Sequence, residues 1–438
     1  MPSRCPVRST SKPKRISESA ATASTVVRAS TNLSAGTSSG NRGINSAGML
    51  RRLTPNTRLA RCCRYLADGP PKSADPYLIT TGLTANVAKG QMRSLPVSAL
   101  PRSKYGGITH VSLLTGSTII GQQGAKFVTA LLHSTRVPVE LQRIGSDQEE
   151  EYFNSVLRNH AAVHVDILCD GEAKKKSLKI CNDLDLYVFM TRLRSFPGFK
   201  CRFPDVDIQV IAQNNIGNYS ELEYSPVKGV VEALRVVTHD NVEKYLRYAF
   251  KAAIRAGRCR VTLIHKANEW PVTDGTMLKI AEEMHAKKYS SIELELMDLD
   301  ECVKRLITDP AYFDTILTND RYATFLATIC SGVAGGANLF SAIELGDNHA
   351  VFKPLQTKLS LTNYSQLSPY GIVSTCVDLL NHVGHESCAK SLWQGMIRTM
   401  DEGIKSVEFD GTDTGEYVIC NIMNKLRCSA LGESAQKK

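Results

Sequence analysis

A chain of 438 residues with 42% hydrophobic content is long enough to bury a large core. Its formal net charge of +10 is concentrated at one end: residues 1–72 carry 13 Lys and Arg against Glu18 and Asp68, leaving 40 basic and 41 acidic residues elsewhere. A near-neutral body excludes a nucleic-acid role for it, and no apolar run approaches the roughly 18 residues of a membrane span.

The leading segment is rich in Ser, Thr, Ala and Arg, and residues 49–61 can form a basic amphipathic helix. That is the composition of a mitochondrial presequence, so residues 1–76 are assigned to targeting and linker, and the protein to the mitochondrial matrix. The 13 cysteines show no C-x-x-C and no zinc spacing, and they read as reduced, scattered thiols. After Pro/Gly-bearing linkers at 69–76 and 96–107, an apolar run at 110–114 predicts a strand, followed by a helix over 122–133 and a strand over 137–141. A helix over 147–158 and a strand over 163–168 continue the alternation, which is that of an α/β protein.

Residues 206–211 read as a strand and 240–256 as a helix, with Asp240 and Glu243 at capping-box spacing. Tyr245, Leu246, Ala249, Phe250 and Ala253 form the apolar stripe of that helix, and Gly257 stops it. Strands over 260–265, 292–297 and 313–317 alternate with helices over 277–287 and 301–308. Glycines at 332–336 and 346 interrupt the pattern before a strand at 351–352 and a helix over 372–383.

Gly116 and Gly121 lie between a strand and a helix, where a phosphate-cradling loop would sit, but their spacing fits no dinucleotide fingerprint and a plain turn is the better reading. The string Ile264-His265-Lys266-Ala267-Asn268 ends a strand. A lysine so placed can have its pKa lowered for proton transfer, although a surface lysine is the commoner explanation.

Taken with Leu184-Asp185-Leu186-Tyr187, Ser195-Phe196-Pro197-Gly198, Asn214-Asn215-Ile216-Gly217-Asn218-Tyr219, the run 229–234 and Asp309-Pro310 with Phe313-Asp314, that string resembles the β-decarboxylating dehydrogenases. The similarity runs over about 105–426 and is strongest to gamma-type regulatory subunits of mitochondrial NAD-dependent isocitrate dehydrogenase. The resemblance implies an isocitrate/isopropylmalate dehydrogenase-like α/β fold. Residues 105–192 and 324–430 would form a large domain, and 193–323 an inserted smaller domain through which subunits dimerise.

The family's chemistry is hydride transfer to NAD, metal-assisted decarboxylation and protonation of an enolate. It needs arginines for a tricarboxylate, carboxylates for magnesium or manganese, and a Tyr/Lys pair. Carried over position by position, the resemblance places the substrate arginines on Cys181, Thr191 and Ala212, and two metal aspartates on Thr324 and Thr328. At roughly 1.5–3 kcal/mol per hydrogen bond to a charged group, the lost arginines remove at least about a thousandfold in affinity. The cofactor loop after Phe352 lacks the family's His-Gly turn, so no cofactor is expected in the chain's own site.

Tyr219 and Lys266 fall on the family's acid/base pair and Asp300 on a metal aspartate, and the family contributes that lysine and aspartate to the neighbouring subunit's site. The resemblance therefore implies a diverged, non-catalytic subunit that completes the site of an alpha-type catalytic partner, which would hold NAD and the metal. Local packing of Tyr219 and Lys266 is the competing explanation of their retention. Two other readings stay open: a homo-oligomeric mitochondrial structural protein on the dehydrogenase scaffold, and a dehydrogenase for another hydroxy acid in which Arg192 or Arg194 binds the carboxylate.

Overall fold

A computed structural model describes residues 104–436, apart from 106, 117, 146–148, 169–170, 200, 215–216 and 357–367. The predicted presequence lies outside the described residues. In chain order the elements are β1 (Lys104–Tyr105), β2 (Ile108–Thr115), α1 (Ile119–Thr135), β3 (Val139–Gly145), α2 (Glu149–Asn159), β4 (Ala161–Val165), α3 (Gly171–Asp183), β5 (Val188–Arg194) and β6 (Asp207–Gln213). A hairpin of β7 (Gly217–Val227) and β8 (Val230–Val236) follows, then α4 (His239–Arg255), β9 (Arg260–His265), α5 (Thr273–Lys288), β10 (Glu293–Asp298), α6 (Leu299–Thr308), β11 (Thr315–Thr318) and α7 (Asp320–Val333). The chain finishes with β12 (Ser341–Leu345), β13 (Ala350–Pro354), α8 (Pro369–Val383), α9 (Glu386–Asp401) and α10 (Gly415–Gln436).

Eleven strands make one sheet in the order β1-β2-β4-β13-β12-β5-β6-β11-β9-β10, with β3 paired to β2. Strands β3, β2, β4 and β13 are mutually parallel, as are β6, β11, β9 and β10. Between the two groups every contact is antiparallel: β13 with β12, β12 with β5, and β5 with β6. Three reversals turn the second group upside down relative to the first. Loops after β2, β4 and β13 therefore open at one end of the sheet, and loops after β6, β9, β10 and β11 at the other.

Strands β4, β11 and β12 are buried at every position, as expected where helices cover both faces. The predicted stripe of α4 is fully buried, and Gly257 stops the helix at φ +63°, its N–H donating to Ile254 O at 2.9 Å. The expected capping box does not form. Thr238 is the N-cap and makes no side-chain bond, while Glu243 accepts from Arg247 one turn on. Glu243 is thus spent on an i,i+4 pair instead of reaching back to the helix start.

One buried carboxylate joins three elements. Asp274, 1% exposed at the start of α5, accepts from Lys266 N at 2.9 Å, from Asn319 Nδ2 at 3.0 Å and from the Tyr322 hydroxyl at 3.2 Å. It also lies 3.6 Å from Arg235 of β8, whose guanidinium pairs with Asp320 at 2.6 Å. The hairpin, the turn after β9 and the start of α7 are all tied to it. Breaking a buried pair by removing one partner costs about 3–5 kcal/mol, whereas an exposed pair contributes about 1 kcal/mol or less. Urea unfolding should accordingly show Asp274→Ala losing several kcal/mol and Lys287→Ala, which removes the exposed pair with Glu283, losing less than about 1 kcal/mol. Equal small losses would show that the Asp274 cluster does not hold the elements together.

Candidate functional site

The three positions assigned to substrate arginines lie together and are closed. Ala212 is fully buried in β6, opposite Phe189 of β5. Thr191, 1% exposed two residues along β5, donates its hydroxyl to Ser341 O at 2.8 Å. Cys181, near the end of α3, approaches Leu186 O at 3.4 Å and accepts from Asn214 Nδ2 at 2.9 Å. Burial pushes the Cys181 thiol pKa well up, with Glu344 adding to the effect. The polar atoms of Cys181 and Thr191 are each engaged within the chain.

Lys266 and Asp300 are brought together at the carboxyl ends of β9 and β10. The Lys266 ammonium bonds Glu269 at 2.6 Å and lies 3.4 Å from Asp300, whose side chain is 80% exposed. The Glu269 hydrogen bond raises the Lys266 pKa, and Asp300 adds to it, so the shift runs opposite to the lowering expected of a proton-transfer lysine. Glu269 was not singled out by sequence reasoning, although its place three residues after Lys266 suits a turn-spanning pair. Tyr219 lies on β7, and its side chain falls outside the described residues.

Thr324 and Thr328 are exposed on α7, a helix absent from the sequence pattern, and Thr328 donates its hydroxyl to Thr324 O at 2.7 Å. Neutral hydroxyls are poor ligands for magnesium or manganese. Among the described residues no group of three or more His, Cys, Asp or Glu could hold a metal ion. The chain's own residues at these positions do not fit the metal.

The strand-to-helix loop after β2 lies at the opposite end of the sheet and holds a carboxylate of the chain itself. Thr118 caps α1 by accepting from Gly121 N at 3.0 Å and donates to Asp166 Oδ1 at 2.7 Å. A Cβ built on Gly116 would fall 1.6 Å from Asp166 Oδ2, so a larger residue there would have to displace the carboxylate. Gln356, after β13, locks onto the same turn: its Nε2 donates to Asp166 O at 2.7 Å and its Oε1 accepts from Leu168 N at 2.9 Å. The helix end that would attract an anionic phosphate already faces a carboxylate, which does not fit a dinucleotide. Residues 357–358 of the expected cofactor loop lie outside the described residues.

Behind this loop, Lys353 of β13 pairs with buried Glu344 of β12. The neighbouring His164 shares a hydrogen bond with the Tyr152 hydroxyl at 2.6 Å. Burial lowers the His164 pKa to about 3, with Lys353 contributing, so the imidazole is neutral. The two arginines offered as substitutes for the lost ones are also engaged. Arg192 grips Asp207 with both edges of its fork, at 3.1 and 2.8 Å, and Arg194 stacks 4.0 Å above Trp393. Neither supports the hydroxy-acid dehydrogenase reading.

A family model described as isocitrate/isopropylmalate dehydrogenase matches residues 154–432. The probable isocitrate dehydrogenase [NAD] gamma 2, mitochondrial, of Mus musculus is 33% identical over 73% of this chain and 84% of its own length. Isocitrate dehydrogenase [NAD] subunit gamma of Homo sapiens is 29% identical over 75% and 86%, and subunit 1 of Saccharomyces cerevisiae 28% over 75% and 94%. Among solved structures, isocitrate dehydrogenase from Methylococcus capsulatus superimposes with a TM-score of 0.66 at 22% identity, covering 73% of this chain and all of that one. At that identity the likeness is one of fold, and it agrees with the α/β expectation.

The His164 environment makes a pH dependence testable. Its folded pKa lies below the ordinary value of 6.5, so the unfolded chain takes up the proton first and stability falls as pH drops from about 6.5 toward 3. At about 1.4 kcal/mol per pH unit, the natural chain should lose roughly 2 kcal/mol more than His164→Gln between pH 6.5 and 5. Urea midpoints across that range measure the difference, and parallel profiles for the two proteins would refute it.

Proposed function

Because the chain belongs to the isocitrate/isopropylmalate dehydrogenase family, we propose that it is a non-catalytic regulatory or structural subunit of mitochondrial NAD-dependent isocitrate dehydrogenase, completing a partner's active site. The observation that carries this reading is an asymmetry of burial. Cys181, Thr191 and Ala212, which would serve the chain's own pocket, are buried and internally satisfied, whereas Asp300 is 80% exposed and Lys266, 20% exposed, lies beside it at the strand ends. Groups that face outward at the carboxyl ends of adjacent strands can reach a second subunit. Groups sealed in a sheet cannot reach a substrate.

The partner is an alpha-type catalytic subunit in the mitochondrial matrix, joined through the small domain over 193–323, with 105–192 and 324–430 as the large domain. The names of the relatives support the compartment and the gamma-type role. The β7–β8 hairpin supports the mode of joining, because Leu222, Tyr224, Val231 and Leu234 are 46%, 53%, 74% and 55% exposed on it. A two-stranded ribbon is marginal alone and gains stability when its apolar surface is covered. In the partner's site Lys266 would hold or deliver a proton, with Tyr219 as its family pair, and Asp300 would supply one carboxylate oxygen to the partner's metal. The partner's own chain would hold NAD and the substrate.

Replacing Lys266 with Met in the assembled complex should lower turnover by about 10²–10⁴-fold at the affected sites while gel filtration shows intact assembly. Full turnover in the Lys266→Met complex, or failure of any alpha-type subunit to form a complex, would end this reading in favour of a structural scaffold.

A further inference from the structure

Strands β11, β9 and β10 are neighbours in the sheet and run the same way, so the residues that follow them form a row: Arg321 in the first turn of α7, Lys266 and Glu269 after β9, and Asp300 at the start of α6. Lys266 pairs with both Glu269 and Asp300, and Arg321 at the other end of the row pairs with neither carboxylate. The Arg321 guanidinium lies 4.4 Å above the centre of the Trp270 ring and has no carboxylate partner among the described residues. The same face of α7 continues with Thr324 and Thr328, so no carboxylate on that face competes for it. At the other end Asp300 keeps most of its carboxylate in solvent. Exposed apolar side chains lie in the same stretches of chain, Trp270 at 42%, Val272 at 77% and Phe325 at 51%, interleaved with the exposed polar Glu269 and Thr324.

An arginine held on an indole face has its planar fork oriented in advance, so a carboxylate reaching its open edge gains a charge-assisted bond at little ordering cost. Arginine and tryptophan among exposed apolar groups are also the composition of an interface centre. We propose that Arg321 docks a carboxylate of the partner subunit, the one that in a neighbour of the same fold stands where Asp300 stands in this chain. This inference rests on the cross-subunit reading above. When two subunits of one fold meet about a two-fold axis, residue i of one faces residue j of the other and the reverse, so one end of the row meets the opposite end of its counterpart. The cation without a partner and the solvent-facing carboxylate are complementary in that arrangement.

The test uses the complex of the full chain with an alpha-type catalytic subunit, its dissociation constant measured by sedimentation at low and high salt. Arg321→Glu should raise that constant at least about tenfold at low salt, since a like-charge contact replaces an attractive one. Arg321→Lys should fall between, because it keeps the charge and loses the fork. Changing the partner's aspartate at the position equivalent to Asp300 into arginine should restore the affinity of the Arg321→Glu chain. An unchanged dissociation constant for Arg321→Glu, or a loss that the exchanged charges fail to restore, overturns the proposal. So does calorimetric binding of citrate to the chain alone that vanishes in Arg321→Gln, because Arg321 would then serve a free carboxylate. If Lys266→Met lowers the partner's turnover while Arg321→Glu leaves dissociation unchanged, the cross-subunit reading survives and only this inference falls.

Discussion

The arrangement depends on a single buried carboxylate. Asp274 is satisfied inside the protein because Arg235 lies near it and because a backbone amide, an asparagine amide and a tyrosine hydroxyl donate to it. These groups come from β8, the turn after β9 and the start of α7, so satisfying one carboxylate fixes three local structures at once. The amide is that of Lys266 itself. The turn that carries Lys266 is thus held by packing independent of the pocket at Cys181, Thr191 and Ala212, which could lose its charges without moving the lysine.

The residues Cys181, Thr191 and Ala212 follow a different physical logic. A buried arginine is tolerable only with a partner, and without substrate its carboxylate partner is missing; a small or weakly polar side chain removes the difficulty. Thr191 and Cys181 hydrogen-bond to backbone carbonyls within reach, and Ala212 needs nothing. At the far end of the sheet Asp166 plays a comparable part, placing a carboxylate where the end of α1 would otherwise attract an anion. Three antiparallel contacts separate these ends, so closing the loop at Asp166 leaves the row from Arg321 to Asp300 untouched.

Much of the sheet was legible in the sequence because its strands are short apolar runs and α4 has an apolar stripe of helical period. Helix α7 was not legible from the sequence, although Tyr322, Ala323, Leu326, Ala327 and Cys330 form a buried stripe, because the glycines at 332–336 that follow it break the pattern. Helix α3 has an apolar content too low to announce itself amid Lys174, Lys175 and Lys176. The capping box at Asp240 failed because spacing alone cannot tell whether Glu243 turns back to the helix start or forward to Arg247. At the site, the positions Cys181, Thr191, Ala212, Lys266 and Asp300 were assigned by the resemblance and not by any local pattern. The groups that took over were not, since Asp166, Glu269, Asp274 and Arg321 acquire their roles from contacts between elements that no local pattern encodes.

The central claim is that this chain holds no substrate site of its own and lends groups to one next door. It is tested most directly by counting sites in the assembled complex with an alpha-type subunit, using equilibrium dialysis of isocitrate in the presence of manganese. The account predicts one isocitrate bound per pair of subunits, with binding lost when the alpha-type subunit's substrate arginines are replaced. Two isocitrates per pair would contradict it, because the second would have to sit in this chain's own pocket at Cys181, Thr191 and Ala212.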